Sequence, residues 1–325
     1  MITWVSLLKV VVTGGAGFIG SHLVDHLMRQ GYHVIVLDNL SSGEMEYLRN
    51  WLDHKHFEFH KVDLRDVSSF NDLLRDIHVV FHFAANPEVR IGAQKPQDIW
   101  DNNVIATYNL LEVMRAQKVP FLVFASSSTV YGEASKIPTP EDYGPLEPIS
   151  IYGASKLACE AMISGYAFTF KIRSLVLRFA NIIGSRLRHG VIYDFIMKLK
   201  KNPNVLEILG DGSQRKSYLH VSDTVNATIH LFNTFQDSDK VYDVYNVGSD
   251  DWVTVKEIAE IVSKAMNLTP KFHFTGGVEG GRGWIGDVKY MLLDIEKLKS
   301  TGWRPKMSSK EAVERTAKEL VSELC

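Results

Sequence analysis

The sequence predicts an α/β protein, a doubly wound parallel sheet followed by a smaller α/β domain. Three observations carry this. Short β-branched runs alternate with helical patterns over residues 1–183, which implies right-handed βαβ crossovers. A glycine-rich turn follows the first of those runs and heads the first helical pattern. Beyond Gly184 the alternation loosens, so the remainder reads as a second, partly discontinuous domain.

The elements follow in order. Residues 8–13 form a short β-branched run that ends at glycine, the pattern of a buried parallel strand. Residues 17–29 predict a helix closed by Gly31. Strands follow at 34–37, 57–61, 79–83, 121–125 and 175–178, with helices at 97–117 and 152–170 between them. After Gly184 a helix is expected at 191–201, then Pro203 and the Gly210-Asp211-Gly212 turn interrupt. Residues 217–221 and 241–247 predict strands that return to the main sheet, and 254–266 and 308–324 predict helices. The expected domains are 1–183 with 216–248 returning to it, and 184–215 with 249–325.

Composition narrows the function classes. Hydrophobic residues make up 45% and charged residues 23%, ordinary values for a globular chain. A net charge of -2 gives no basic footprint for nucleic acid. No apolar run is long enough to span a bilayer. The start, residues 1–12, lacks the charged front and cleavage site of a secretory signal. Cys159 and Cys325 are the only cysteines, so a reducing, cytoplasmic setting is expected. His22 and His26 lie four apart, but no further zinc ligands accompany them, so no metal site is expected.

Gly15, Gly17 and Gly20 satisfy G-x-G-x-x-G between a strand and a helix. Glycine there lets the backbone approach a pyrophosphate, whose charge the helix N-terminus attracts. Asp38 ends the second strand, where a carboxylate meets the adenosine ribose and repels a 2′-phosphate. The pattern predicts a Rossmann-type unit that binds NAD in preference to NADP. Of the 12 tyrosines, only Tyr152 has a lysine, Lys156, four residues on. That spacing puts both on one helix face, and a nearby ammonium favours a phenolate base. Ser127 lies at the C-terminal edge of the sheet, where ligands of open α/β folds bind.

Together these segments resemble the extended short-chain dehydrogenase/reductase family, and within it the UDP-glucose 4-epimerase group. The residues that carry the resemblance are TGGAGFIGSHL from Thr13, DNLSSG from Asp38, HFAANPEVR from His82 and DNNVIATYNLLE from Asp101. ASSSTVYG from Ala125, YGASKLACE from Tyr152 and RFANIIG from Arg178 continue it. GDGSQRKSYLHVSD from Gly210, YNVGS from Tyr245 and GRGWIGDV from Gly281 extend it nearly to the end.

The resemblance implies a tightly held NAD and a UDP-sugar substrate. Tyr152 would remove the proton of the sugar 4-hydroxyl, Lys156 would lower its pKa and bind the nicotinamide ribose, and Ser127 would hydrogen-bond the same oxygen. Hydride leaves sugar C4, a 4-keto sugar turns over in the cleft, and hydride returns to its other face. The implied cofactor set is Gly14, Gly17, Phe18, Ile19, Gly20, Asp38, Asn39, Leu40, Ser41, Ser42 and Gly43. Asp63 and Leu64 flank the adenine. Phe83, Ala84, Ala85, Pro87, Asn103, Ala125, Ser126, Tyr152, Lys156 and Phe179 complete the set, with Pro87 standing in for a lysine of relatives. The implied substrate set is Ser127, Thr129, Tyr152, Asn181, Gly190, Val191, Arg215, Lys216 and Arg282. Lys216 falls where many relatives have a phosphate-binding arginine, with Arg215 beside it, and either of the two can take the phosphate. Met291 falls about where relatives have a residue that gates an N-acetyl group.

The resemblance also implies a homodimer through the helices at 97–117 and 152–170. UDP-glucose/UDP-galactose, with N-acetylhexosamine forms, is the expected sugar class, and UDP-glucuronate 4-epimerase is the alternative. Dehydratases and decarboxylases place a carboxylate where Ser128-Thr129 stands, so elimination would lack its base. A non-catalytic NAD sensor is disfavoured by the intact Ser127, Tyr152 and Lys156.

Overall fold

The computed structural model describes residues 8–278, 280–284 and 286–325. Residues 1–7 of the apolar start and Ile285 of the GRGWIGDV stretch lie outside the described residues.

The elements run β1 (Lys9–Thr13), α1 (Phe18–Arg29), β2 (His33–Asp38), β3 (Phe57–Lys61) and β4 (Val79–His82). Then come α2 (Val89–Gly92), α3 (Pro96–Trp100), α4 (Ala106–Gln117), β5 (Phe121–Ser127), α5 (Ile151–Phe170), β6 (Arg173–Phe179) and β7 (Asn181–Ile183). The chain continues with α6 (Gly190–Lys201), β8 (Val205–Ile208), β9 (Arg215–Lys216), β10 (Tyr218–His220), α7 (Val221–Gln236), β11 (Tyr242–Val247) and β12 (Val253–Thr254). It ends with α8 (Val255–Ala265), β13 (Lys271–Phe274), β14 (Tyr290–Met291), α9 (Glu296–Ser300) and α10 (Ser309–Leu324).

Seven strands form one sheet in the order β11-β6-β5-β4-β1-β2-β3. β1 lies between β2 and β4, parallel to both. This is the doubly wound order that the alternation predicts, with the chain reversing direction across the sheet at β1 and β4. The strands form because valine runs such as Val10–Val12 are fully buried, and β-branched side chains suit a pleated surface covered on both faces. One core cluster joins Val11, Ile35, Val80, Leu122 and Val176 of the strands to Leu110, Leu111 and Met114 of α4. Cys159 and Ile163 of α5 pack in the same cluster.

The predicted helix at 97–117 is not one regular helix. Between α3 and α4 the residues Asp101–Ile105 make a π turn. The reason is side-chain competition for the backbone. Thr107 Oγ1 donates to the Asn103 carbonyl at 2.6 Å, and the Asn103 amide is tied to the backbone of Asn86. An inserted residue of this kind is typical of π turns at functional positions. Periodicity also left α7 unassigned, because VSDTVNATIHLFNTFQ is rich in residues of middling helix propensity.

The described chain forms two compact units. The first holds residues up to Ser126, Ser155–Leu177 and Phe232–Val244, and the second holds Ser127–Ala154, Arg178–Leu231 and Tyr245–Cys325. Within the second, β10 pairs in parallel with β7, so of the two strands expected to return to the main sheet only β11 does so, and the one expected at 217–221 does not; β13 pairs with β8, and β9 lies between β12 and β14. α8 and α10 each begin with a capping box, Thr254 with Glu257 and Ser308 with Glu311.

One buried contact sets an acid response in the second unit. His220 Nε2 lies 3.1 Å from Glu319 Oε2, and Arg315 Nε donates to Glu319 Oε1 at 2.8 Å. The Ser222 N–H points at His220 Nδ1, so Nε2 is the nitrogen that carries the proton toward Glu319. Burial raises the Glu319 pKa, but the bonds from His220 and Arg315 outweigh it and hold the group at about 2. A folded pKa below the unfolded one stabilises the protein fully above the ordinary carboxylate range, and this is lost as pH falls through about 2. Glu319→Gln is therefore expected to cost roughly 1–3 kcal/mol at pH 7 and progressively less toward pH 2. Urea unfolding at both pH values checks this.

Candidate active site

In the first unit, the turn after β1 is closed by its own backbone. The Gly17 N–H donates to the Gly14 carbonyl at 3.0 Å. Gly14 has φ +69°, and a Cβ there would lie 2.6 Å from the Ala84 nitrogen. A Cβ on Gly20 would lie 2.1 Å from the Gly14 carbonyl oxygen. Gly17 is the N-cap of α1 and makes no side-chain cap bond, and the first turn of α1, which includes Phe18, Ile19 and Gly20, has no acidic residue. Its uncapped N–H groups and positive dipole end fit a pyrophosphate.

Asp38 is buried at the end of β2. Its Oδ2 accepts from the Ala16 N–H at 3.0 Å and its Oδ1 from the Leu40 N–H at 2.8 Å. Burial raises the carboxyl pKa and the two N–H groups lower it, with a net upward shift. Each oxygen keeps a second lone pair, enough to accept a ribose hydroxyl. Leu40 has φ 59°, and Gly43 packs so closely that a Cβ would lie 3.0 Å from Asp38 Oδ1. Asn39 Oδ1 accepts from the Ser41 N–H, while Ser41 and Ser42 are exposed. Asp63 is clasped by Arg65, whose bonds hold its pKa at about 2, and Leu64 is buried.

After β4, the Phe83 N–H donates to the Thr13 carbonyl and the Ala84 N–H to Thr13 Oγ1. Ala85 is half-buried and Pro87 exposed. Beneath this segment runs a buried polar chain. His82 Nδ1 lies 2.7 Å from Thr13 Oγ1, and His82 Nε2 lies 2.9 Å from Thr107 Oγ1. Asn103 Nδ2 donates to Ser155 Oγ at 2.9 Å. Burial, aided by the Lys156 charge, lowers His82 to about 3, so it is neutral. Lys156 is 3% exposed. Its Nζ donates to the Ala125 carbonyl at 2.7 Å and lies 4.8 Å over the Phe124 ring. Burial lowers its pKa to about 8 against the opposing pull of Cys159 and Glu160, so it remains mostly charged at pH 7.

In the second unit, the Thr129 N–H and Oγ1–H both donate to Ser127 Oγ, at 3.2 and 3.0 Å. With both acceptor sites filled, the Ser127 hydroxyl has its proton to give. Tyr152 is half-buried in the first turn of α5, four residues before Lys156. A Cβ on Gly153 would lie 2.7 Å from the Thr129 carbonyl, so glycine lets the start of α5 pack against the turn after Ser127. Phe179 is buried, and Asn181 Nδ2 donates to the Ser217 carbonyl. Gly190, with φ 83°, and Val191 open α6.

Arg215 and Lys216 are neighbours on β9 and so face opposite ways. Arg215 is exposed, its guanidinium 5.8 Å over Trp252. Lys216 Nζ pairs with the buried Asp287 at 2.5 Å, and the Gly283 N–H donates to the same carboxylate. Arg282 pairs with Glu133 at 2.5 Å. Lys216 and Arg282 are therefore each held by a carboxylate of their own, whereas Arg215 lies over an indole ring. The partners Glu133 and Asp287 escaped sequence reasoning, because neither lies at a helical or strand spacing from its cation.

Of the implied cofactor set, all but Tyr152 and Phe179 fall in the first unit, and the whole substrate set falls in the second. The description of the NAD dependent epimerase/dehydratase family matches residues 10–248. The chain belongs to that family. A UDP-glucose 4-epimerase of Lactobacillus helveticus is 32% identical over 329 residues, covering 95% of this chain and 96% of that protein. A crystal structure of a UDP-galactose 4-epimerase is 50% identical with a TM-score of 0.89, covering 98% of this chain and 100% of the other. The UDP-glucuronic acid 4-epimerase of Bacillus cereus, solved with UDP-glucuronic acid and NAD, has a TM-score of 0.86 at 27% identity, covering 97% and 100%. NAD is the cofactor of the family, and the uncapped glycine turn and the Asp38 carboxylate of this member fit it.

That fit makes a prediction for Asp38. Asp38→Asn is expected to weaken NAD binding by about tenfold, the worth of one hydrogen bond to a charged group. It also removes the charge that repels a 2′-phosphate, so the preference for NAD over NADP narrows. Titration of cofactor-free protein with each dinucleotide measures both effects.

Proposed function

We propose that this chain is an NAD-dependent nucleotide-sugar 4-epimerase for UDP-glucose and UDP-galactose, with their N-acetyl forms. The observation that carries this is α5, which sets Tyr152 one turn ahead of a buried, mostly charged lysine. The glycine turn and α1 hold the pyrophosphate of NAD, and Asp38 accepts from its adenosine ribose. When bound, NAD supplies the hydride acceptor and donor for sugar C4. Lys156 favours the Tyr152 phenolate and binds a ribose hydroxyl. Tyr152 takes the proton from the sugar O4 and later returns it. Ser127 donates its proton to the same oxygen, stabilising negative charge there. Lys216 and Arg282 exchange their carboxylate partners for the substrate diphosphate, with Arg282 as the bidentate contact.

UDP-glucuronate is the second reading, favoured by the likeness to the Bacillus cereus enzyme. Elimination and decarboxylation are disfavoured because Ser128 and Thr129 offer no carboxylate. We read the protein as a homodimer through α3, α4 and α5, where Trp100, Tyr108, Phe168 and Phe170 are exposed. Both cysteines are free thiols, which supports a cytoplasmic setting. Among the described residues no helix is long and apolar enough to cross a membrane.

The test is product analysis after separate incubations with UDP-galactose, UDP-N-acetylgalactosamine and UDP-glucuronate, without added cofactor. The C4 epimer is expected from UDP-galactose, with no net NADH. An absence of any epimer from protein that holds NAD defeats the proposal.

A further inference from the structure

Glu160 is a buried carboxylate that the mechanism above leaves unused. It is 3% exposed and lies four residues beyond Lys156 on α5, hence on the same face. Ser126 Oγ donates to Glu160 Oε1 at 2.5 Å, while Lys156 Nζ donates to the carbonyl of the preceding residue, Ala125, at 2.7 Å. Two successive residues at the end of β5 are thus tied to two successive turns of α5. The next residue in the chain is Ser127.

We propose that Glu160 is a positioning residue, whose carboxylate keeps the buried Lys156 charged and, through Ser126, fixes the end of β5 beside Ser127. This rests on the reading of Tyr152 and Lys156 given above. A buried ammonium is costly unless an opposite charge accompanies it. Cys159 and Glu160 of its own helix and His82 of β4 interact electrostatically with Lys156, and Tyr152 lies one turn before it on α5. β5 contributes Phe124 and Ala125, which do not titrate. His82 is held neutral, and burial pushes the Cys159 thiol up, so that it too is neutral. Cys159 and Glu160 are the groups that favour the Lys156 ammonium, and of these Glu160 is the carboxylate, and the one also tied to β5 through Ser126.

Glu160→Gln keeps an acceptor for Ser126 and removes the charge. The alkaline limb of kcat/KM for UDP-galactose is expected to move down by about one pH unit, since an opposite charge nearby shifts a pKa by roughly that much or more. Activity at pH 9 then falls roughly tenfold further than at pH 6.5. A uniform loss with an unmoved limb would overturn the proposal. A second measurement needs no turnover. The Tm loss from Glu160→Gln is expected to be larger at pH 7 than at pH 10, and to shrink in a Lys156→Met background, where no ammonium needs compensation. Equal losses in both backgrounds at both pH values would assign Glu160 to packing alone. If Glu160→Gln fails to fold, recovery of folded protein in the double variant supports the proposal, and failure to recover it refutes it. If no UDP-sugar is turned over, the stability cycle still reads the Glu160–Lys156 coupling, so failure of the epimerase reading is told apart from failure of this one.

Discussion

Tyr152→Phe is expected to lower turnover of UDP-galactose by at least roughly 100-fold, the low end for loss of a general base. The fold and the bound NAD are expected to survive. The substitution removes one oxygen from a half-buried side chain in the first turn of α5, and it leaves no hole in the core. Lys156 keeps its bond to the Ala125 carbonyl, so the cofactor side is untouched. The loss belongs in kcat, because an interaction made during proton transfer adds little to ground-state binding. Turnover, melting temperature and NAD content of the purified variant give the three readings. Unchanged turnover removes Tyr152 from the reaction, whereas a variant that also loses NAD assigns it to cofactor binding.

The second large effect is expected at Gly20. Gly20→Ala adds a Cβ that would lie 2.1 Å from the Gly14 carbonyl oxygen and 3.0 Å from the Gly15 Cα. Both neighbours are backbone, so no rotamer change relieves the clash. The turn cannot retreat either, because Gly14 is itself wedged against Ala84, where a Cβ would meet nitrogen at 2.6 Å. The strand–turn–helix junction must open, which costs about 1–3 kcal/mol and moves the N–H groups at the start of α1, where we propose that the pyrophosphate binds. The purified variant is expected to hold no NAD and to bind it at least about 100-fold more weakly, since two hydrogen bonds to a charged group are worth that much. Gly165→Ala is the control. It lies inside α5 with nothing within 4 Å of an added Cβ, so it is expected to keep NAD and to gain slightly in Tm. Calorimetry and NAD titration of the two variants separate a glycine needed for space from one that merely weakens a helix.

These two positions show how unevenly the site could be read in advance. The glycine spacing, Asp38 at the end of β2 and the Tyr152–Lys156 pair are local patterns. Each sits within one element or one turn, where period and chirality leave few alternatives. The strands came from short apolar runs, rich in valine in β1 and in aromatic residues in β3, and β3 matches its predicted bounds of 57–61. The π turn at Asp101–Ile105 was not legible, because it depends on Asn103 reaching Asn86 and Ser155, far along the chain. α7 was not legible either, since its helical state comes from packing rather than propensity.

The sequence by itself determined a doubly wound sheet, a tight glycine turn between its first strand and first helix, and a tyrosine–lysine pair on one helical face. These follow from short-range geometry. Only the tertiary structure decided that Lys156 is buried and held near 8, that Ser127 has its acceptor sites filled by Thr129, and that Lys216 pairs with Asp287 while Arg215 lies over Trp252. Charge state, hydroxyl direction and ion pairing depend on which distant groups surround an atom and how much water they exclude. Those neighbours are chosen by the fold as a whole, and no window of residues contains them.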